Sequence, residues 1–155
     1  MKTAAIIAEY NPFHNGHKYQ LEETKRQTGA DFIVVVMSGY FVQRGIPAMY
    51  SKTFRTRSAL LSGADLVIEM PIFGTLSAAQ DFARCGVSLF HHMGMIDILS
   101  FGSESGNIEE LWQLADHSAL ETNEQSTLIR EGLRNGLIPA GSDSRKERDC
   151  ASFSK

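Results

Sequence analysis

Residues 4–17 read AAIIAEYNPFHNGH. Five small or branched apolar residues, Ala4 to Ala8, run directly into Glu9-Tyr10-Asn11-Pro12-Phe13. Two histidines three apart follow, His14 and His17, with Gly16 between them. The apolar run is near-continuous rather than alternating, as in a strand buried on both faces of a parallel sheet. Pro12 fixes its own φ and holds Asn11 out of the helical region, so the chain turns there. Gly16 allows a ligand to approach the backbone closely. A helix starting near Asn15 directs free N–H groups and the positive end of its dipole into the turn, which makes an anion site. Side chains three apart at a helix start face the same way. Two imidazoles there suit a phosphate. Phosphoryl and nucleotidyl transfer need positioning, and donors aimed at charge that builds on phosphate oxygens. Histidine supplies such donors, and its protonation near neutral pH is within range. A histidine pair at this spacing also occurs as a surface or metal-binding coincidence. Its place after a strand, beside Pro12 and Gly16, favours the phosphate reading.

Three further apolar runs lie downstream: Phe32–Met37, Leu66–Met70 and Ile96–Phe101. Helical signals separate them. Asn15–Gln27 is stopped by Gly29, Lys52–Leu61 by Ser62-Gly63, and Ser77–His92 by Gly94. The last of these repeats Phe82, Cys85, Leu89 and Met93 at spacings of three and four, a core-facing stripe. Strand and helix in this alternation specify an α/β fold with a parallel sheet and right-handed crossovers. Ligands in such sheets bind at the carboxyl ends of the strands, near the topological switch point. The loops after the four strands should therefore converge on one edge. Two more helices are expected, Ile108–Leu120 and Glu124–Arg134. Residues 138–155 carry no apolar periodicity and read as a poorly structured tail.

The chain has 155 residues, 43% apolar and 21% charged, with a formal net charge of -3. That is enough for one domain with a core burying roughly 70% of its unfolded surface. It excludes a whole-chain basic footprint for nucleic acid, though not a local patch. No window approaches the roughly 18 apolar residues of a membrane span. Cys85 and Cys150 lie far apart and in no paired-ligand spacing. A reduced, cytoplasmic setting is expected, with Cys85 a small core residue.

The densest basic stretch is Gln43-Arg44-Gly45 with Lys52, Arg55 and Arg57. It reads either as contact to phosphate or RNA backbone or as a solvated face. Ser38 and Gly39 either shape a pocket or simply turn the chain. Glu9 either orients a histidine or a metal-bound water, or caps a backbone group. His91 and His92 fall at a helix C-terminus, where a structural role is expected.

The pattern His14-Asn15-Gly16-His17 after the first strand resembles the HxGH signature of the nucleotidylyltransferase superfamily. Four ordered blocks go further: AEYNPFHNGH (8–17), VMSGYFVQRGIPA (36–48), KTFRTRSALLSGADLVIEMP (52–71) and LSFGSESG (99–106). They resemble the bacterial tRNA-Met cytidine acetate ligase family, across roughly residues 1–136. The resemblance implies a Rossmann-like, HxGH nucleotidylyltransferase-type parallel sheet flanked by helices. It implies an ATP-dependent ligase that activates acetate as acetyl-adenylate and acetylates the N4 amine of the wobble cytidine of elongator tRNA-Met. Mg²⁺ would be carried with ATP, with no metal cage of the protein's own.

The implied ATP segment is Ile7, Ala8, Glu9, Tyr10, Asn11, Pro12, Phe13, His14, Asn15, Gly16, His17, Lys18, Tyr19 and Gln20, joined by Gly102. His14 and His17 would be the catalytic pair. Ser38, Gly39, Arg44 and Lys52 are candidate contacts to substrate or tRNA. The family's chain is substantially longer and supplies a further ATP-contacting segment of S-x-T-x-x-R type. Nothing from Ile138 onward matches it, and the last strand of the superfamily sheet is also missing. The chain therefore reads as an ATP-binding domain over 1–137 followed by a tail that is not family-like, a truncated copy with complete ligation impaired. Two alternatives stay open: a nucleotidylyltransferase for a small phosphorylated metabolite, and a non-catalytic ATP-binding fragment.

Overall fold

The computed structural model describes residues 1–43, 45–103 and 107–119. The elements run β1 (Thr3–Ala8), α1 (Asn15–Thr28), β2 (Phe32–Met37), α2 (Lys52–Leu61), β3 (Leu66–Glu69), α3 (Ile72–Thr75), α4 (Ala79–Met93), β4 (Ile98–Leu99) and α5 (Ile108–Ala119). The expected helix at Glu124–Arg134, the tail and the boundary near 137 lie outside the described residues. The chain divides into two compact units, Met1–Phe101 and a second that begins at Gly102. In the second, α5 is started by Asn107, whose Oδ1 accepts from the amides of Glu109 and Glu110 at 3.1 and 3.4 Å.

In the first unit the described strands form one parallel sheet, ordered β3-β2-β1-β4. β1 and β2 are central and pair along their whole length, from Thr3 with Phe32 to Ala8 with Met37. Their near-continuous apolar sequences are explained by burial on both faces. Ile6, Ile33, Val35 and Met37 face one side and join Tyr10, Leu21, Ala59 and Ala64. Ala5, Val34 and Val36 face the other and join Met70 and Phe90, with Phe82, Cys85, Leu89 and Met93 of α4 packed alongside. The expected stripe on α4 is thus a core face, and Cys85 belongs to it.

Right-handed crossovers account for this layering. The connections β1-α1-β2 and β2-α2-β3 step the same way across the sheet, so their helices share a face. The chain then passes back over β1 to place β4 on its far side, and α4 takes the opposite face. The reversal falls between β1 and β4. The turn after β1 therefore opens at the switch point, where ligands of such sheets bind.

Three aspartates finish the opposite, amino edge. Each immediately precedes or opens a strand and accepts a backbone N–H from its neighbour: Asp31 from Lys2 at 2.7 Å, Asp65 from Ile33 at 2.8 Å and Asp97 from Thr3 at 2.8 Å. β4 spans Ile98–Leu99 rather than the expected Ile96–Phe101. The single turn α3 has no counterpart in the sequence reading. It is one turn long, it follows Pro71 directly, and its Gly74 lies against Cys85 of α4 with no room for a Cβ.

Candidate functional site

The turn between β1 and α1 is braced by the loop after β2 and by Arg55. Tyr10 adopts φ 50°, a left-handed conformation uncommon outside glycine. The Asn11–Pro12 peptide is cis. Tyr10 is buried, and its ring meets Phe13 and His17 edge-on, each at 4.8 Å between centroids. Burial pushes the Tyr10 hydroxyl pKa up, so it stays a neutral phenol.

His14 is the N-cap of α1. Its Nδ1 accepts from the Gly16 amide at 3.1 Å, and the Nδ1 of His17 accepts from the His14 amide at 3.2 Å. This is a capping box in which imidazoles replace the usual hydroxyl and carboxylate. The two rings stack at 3.7 Å with an interplanar angle of 23°. Both Nδ1 atoms are acceptors, so each neutral ring carries its proton on Nε2, on the far side from the capped amide. Burial, with the charge of His14 as a lesser cause, lowers the His17 pKa from 6.5 to about 4. The expectation of an imidazolium near neutral pH is therefore corrected for His17, which donates as a neutral N–H. The anion site is also not made of free helix amides alone. The Gly16 N–H is already taken by His14, and the amides of His17 and Lys18 bond to the His14 carbonyl at 3.0 and 3.2 Å. The first turn of α1 carries no acidic side chain, and Lys25 and Arg26 lie in its last, so the dipole is left positive at the site.

The rest of the implied ATP segment divides by role. Ile7 and Ala8 turn their side chains into the core. Glu9 is a cap: its Oε1 accepts from the Gln43 amide at 2.6 Å, which decides between the two readings of that carboxylate. Asn11 Oδ1 accepts from the Met49 amide at 2.6 Å. Glu9 and Asn11 thus fasten the loop after β2 to the loop after β1. His14, Asn15, Lys18 and Tyr19 are exposed, while Pro12, Gly16, His17 and Gln20 are half-buried. Lys18 lies 3.7 Å from Glu22. Gly102 opens the second unit and is exposed.

Arg55 fits neither reading of the basic stretch, as contact to phosphate or RNA backbone or as a solvated face. It is fully buried, at 0% exposure. Its guanidinium donates to the carbonyls of Glu9 at 2.6 Å, Ser38 at 3.0 Å, Tyr50 at 3.1 Å and Gly39. It is a brace that collects the loops after β1 and β2, and burial draws its pKa down. Lys52 bonds Glu69 at 2.6 Å and lies 4.6 Å over the Tyr40 ring, while Arg57 is exposed. Ser38 is buried, with no partner for its hydroxyl among the described residues. Arg44 lies outside the described residues. His92 Nδ1 meets the Ser88 carbonyl at 2.7 Å in the last turn of α4, the expected helix-terminal role.

A model of the HIGH Nucleotidyl Transferase family matches residues 1–142. The chain is 46% identical to a tRNA(Met) cytidine acetate ligase of Acetivibrio thermocellus over 97% of its own length and 37% of that protein's. It is 47% identical to the ligase of the same name from a Geobacillus species, over 88% and 34%. A crystal structure of Thermotoga maritima TmcAL bound with alpha-thio ATP superposes with a TM-score of 0.78 at 38% identity, over 88% of this chain and 33% of that one. The chain thus spans between a third and two-fifths of the length of these relatives. The parallel sheet, the turn at its switch point and the HxGH residues that cap α1 occur together within the matched region, so the chain belongs to the HIGH nucleotidyl transferase family.

Proposed function

We propose that this chain is the ATP-binding, adenylate-forming domain of a tRNA-Met cytidine acetate ligase. The observation that carries the proposal is the pair of stacked imidazoles at the start of α1. Their Nδ1 atoms are fixed by backbone amides, so their Nε2–H donors are oriented before any ligand arrives. The triphosphate lies over this terminus, in the segment Ile7 to Gln20. An acetate oxygen attacks the α-phosphorus, the bond to the bridging oxygen of the β-phosphate breaks, and pyrophosphate leaves. The Nε2–H groups of His14 and His17 and the helix dipole stabilise the charge that builds on the departing oxygens. A neutral donor at His17 suits this task because it costs no protonation at working pH. In the second step the N4 amine of the wobble cytidine attacks the acetyl carbonyl. AMP leaves, and the amine gives up a proton. Lys52 stands on the same carboxyl edge as a candidate substrate contact; Ser38 and Gly39 are buried there with their carbonyls held by Arg55, and Arg44 belongs to the loop after β2 by sequence.

Mg²⁺ would enter with ATP and would offset charge on the triphosphate. Among the described residues no three His, Cys, Asp or Glu side chains stand together as a metal site. No described helix is long and apolar enough to cross a membrane. The reading is tested by exchange of labelled pyrophosphate into ATP. Exchange that requires acetate supports it. Exchange indifferent to acetate points instead to a nucleotidylyltransferase with another acceptor, and ATP binding without exchange points to a non-catalytic fragment.

A further inference from the structure

The loop after β2 and the first turn of α2 expose an aromatic surface that the adenylate chemistry leaves unused. Tyr50 and Phe54 are 47% and 55% exposed, and their rings stack at 5.1 Å between centroids with 29° between planes. Tyr50 lies just before Ser51, the N-cap of α2, while Phe54 is in the first turn of that helix and Arg57 follows it three residues on, along the same face. Single exposed apolar residues are ordinary on a protein surface; a paired π-face beside an exposed guanidinium is a more specific arrangement. No carboxylate occurs in α2.

This surface is fixed to the phosphate turn. Arg55 holds the Tyr50 carbonyl at 3.1 Å and, with the same guanidinium, the Glu9 carbonyl at 2.6 Å. Asn11 holds the Met49 amide at 2.6 Å. These bonds therefore tie the strand-end loop that carries the histidines to the segment that carries the aromatic pair.

We propose that Tyr50 and Phe54 form a stacking platform for an unpaired base of an RNA, with Arg57 beside it for the phosphate backbone. This rests on the proposed acyl transfer to a cytidine, and deepens it by naming the surface that receives the acceptor strand. An exocyclic amine can be acylated only when its base is unpaired. Unpaired bases are recognised by stacking on aromatic side chains, and each stacked base contributes enough to matter when it is removed. A second copy of the chain, or another protein, would be favoured by a wider and continuously apolar face. Here the exposed Arg57 and the lack of any carboxylate in α2 favour a polyanionic strand instead.

The test uses the full chain, with a fluorescein-labelled oligocytidylate as a single strand and as a duplex, at one fixed salt concentration. Anisotropy should show tighter binding of the single strand. The double variant Tyr50→Ala/Phe54→Ala should bind it about tenfold more weakly, while Tyr50→Trp/Phe54→Trp keeps or improves the affinity. ATP affinity, measured in parallel, should stay within about twofold for both variants, since the exposed rings carry none of the phosphate donors. An unchanged affinity in the alanine variant, equal binding of duplex and single strand, or no binding at all overturns the proposal. So does loss of self-association as the sole consequence of the alanine substitutions. A wild-type chain that binds the strand but not ATP upholds the platform and rejects the nucleotide reading, so the two failures are distinguishable.

Discussion

His17 Nδ1 accepts the amide of His14 at 3.2 Å, and the two rings lie 3.7 Å apart. One contact sets two properties of the site. It closes the first turn of α1, and it assigns the ring proton to Nε2, the atom available to a phosphate. The capping function and the ligand function are thereby carried by opposite nitrogens of the same rings, so they can be separated by substitution.

The protonation state of His17 is measurable. Its pKa is lowered from 6.5 to about 4. Between those values the unfolded chain binds a proton at this position that the folded chain does not, so stability falls as pH drops from 6.5 towards 4 and is insensitive to this group above 6.5. Proton NMR of the His17 ring should give a midpoint near 4 in the free chain. Addition of ATP should move that midpoint upward, because phosphate charge favours the protonated ring. A midpoint near 6.5 without ligand would contradict the assignment.

Arg55→Met should be among the most destabilising single substitutions in the first unit. It leaves four carbonyl acceptors, those of Glu9, Ser38, Gly39 and Tyr50, without their donor. Buried groups left unpaired in this way cost about 1–3 kcal/mol each before relaxation, so a loss of about 3 kcal/mol or more is expected in urea unfolding. Arg57→Ala, on the exposed side of the same helix, should change stability by about 0.5 kcal/mol or less. Equal effects from the two would contradict the brace.

Gly86→Ala tests the packing of α4 on the sheet. A Cβ there would stand 2.5 Å from Ile7 Cδ1 and 2.8 Å from its Cγ1. Alanine favours helix over glycine by about 1 kcal/mol, but overpacking costs about 1–3 kcal/mol. Net destabilisation is expected, and because Ile7 is in β1, ATP affinity should fall with it. A more stable variant would mean that α4 has room to move away from the sheet.

The strands were legible because burial on both faces leaves a mark in composition. Ala4–Ala8 and Phe32–Met37 need apolar residues at every position, and α4 shows its stripe from Phe82 to Met93. The histidine pair was legible by its place between strand and helix. What it does there was not, because histidine is not among the usual N-cap residues and only the folded turn brings both Nδ1 atoms to amides. Arg55 was misread for a general reason. A charged side chain is expected in solvent, and the four carbonyls that bury it come from three segments that meet only after folding. Asp31, Asp65 and Asp97 precede or open strands in a pattern visible in the sequence, and that pattern was the missed signal for the finished amino edge. Tyr50 and Phe54 sit at helical spacing, but spacing alone does not tell a core pair from an exposed one.

The central claim is that the Nε2–H donors of His14 and His17 hold and activate the triphosphate. The double variant His14→Asn/His17→Asn tests it most directly, since an asparagine side-chain oxygen replaces Nδ1 as the capping acceptor while Nε2 is lost. Calorimetric titration with ATP at pH 7.5, checked by thermal unfolding, should show a folded chain whose ATP affinity has dropped by about tenfold or more, in line with the loss of a charge-assisted hydrogen bond. A folded variant that binds ATP as tightly as the parent chain would contradict the account.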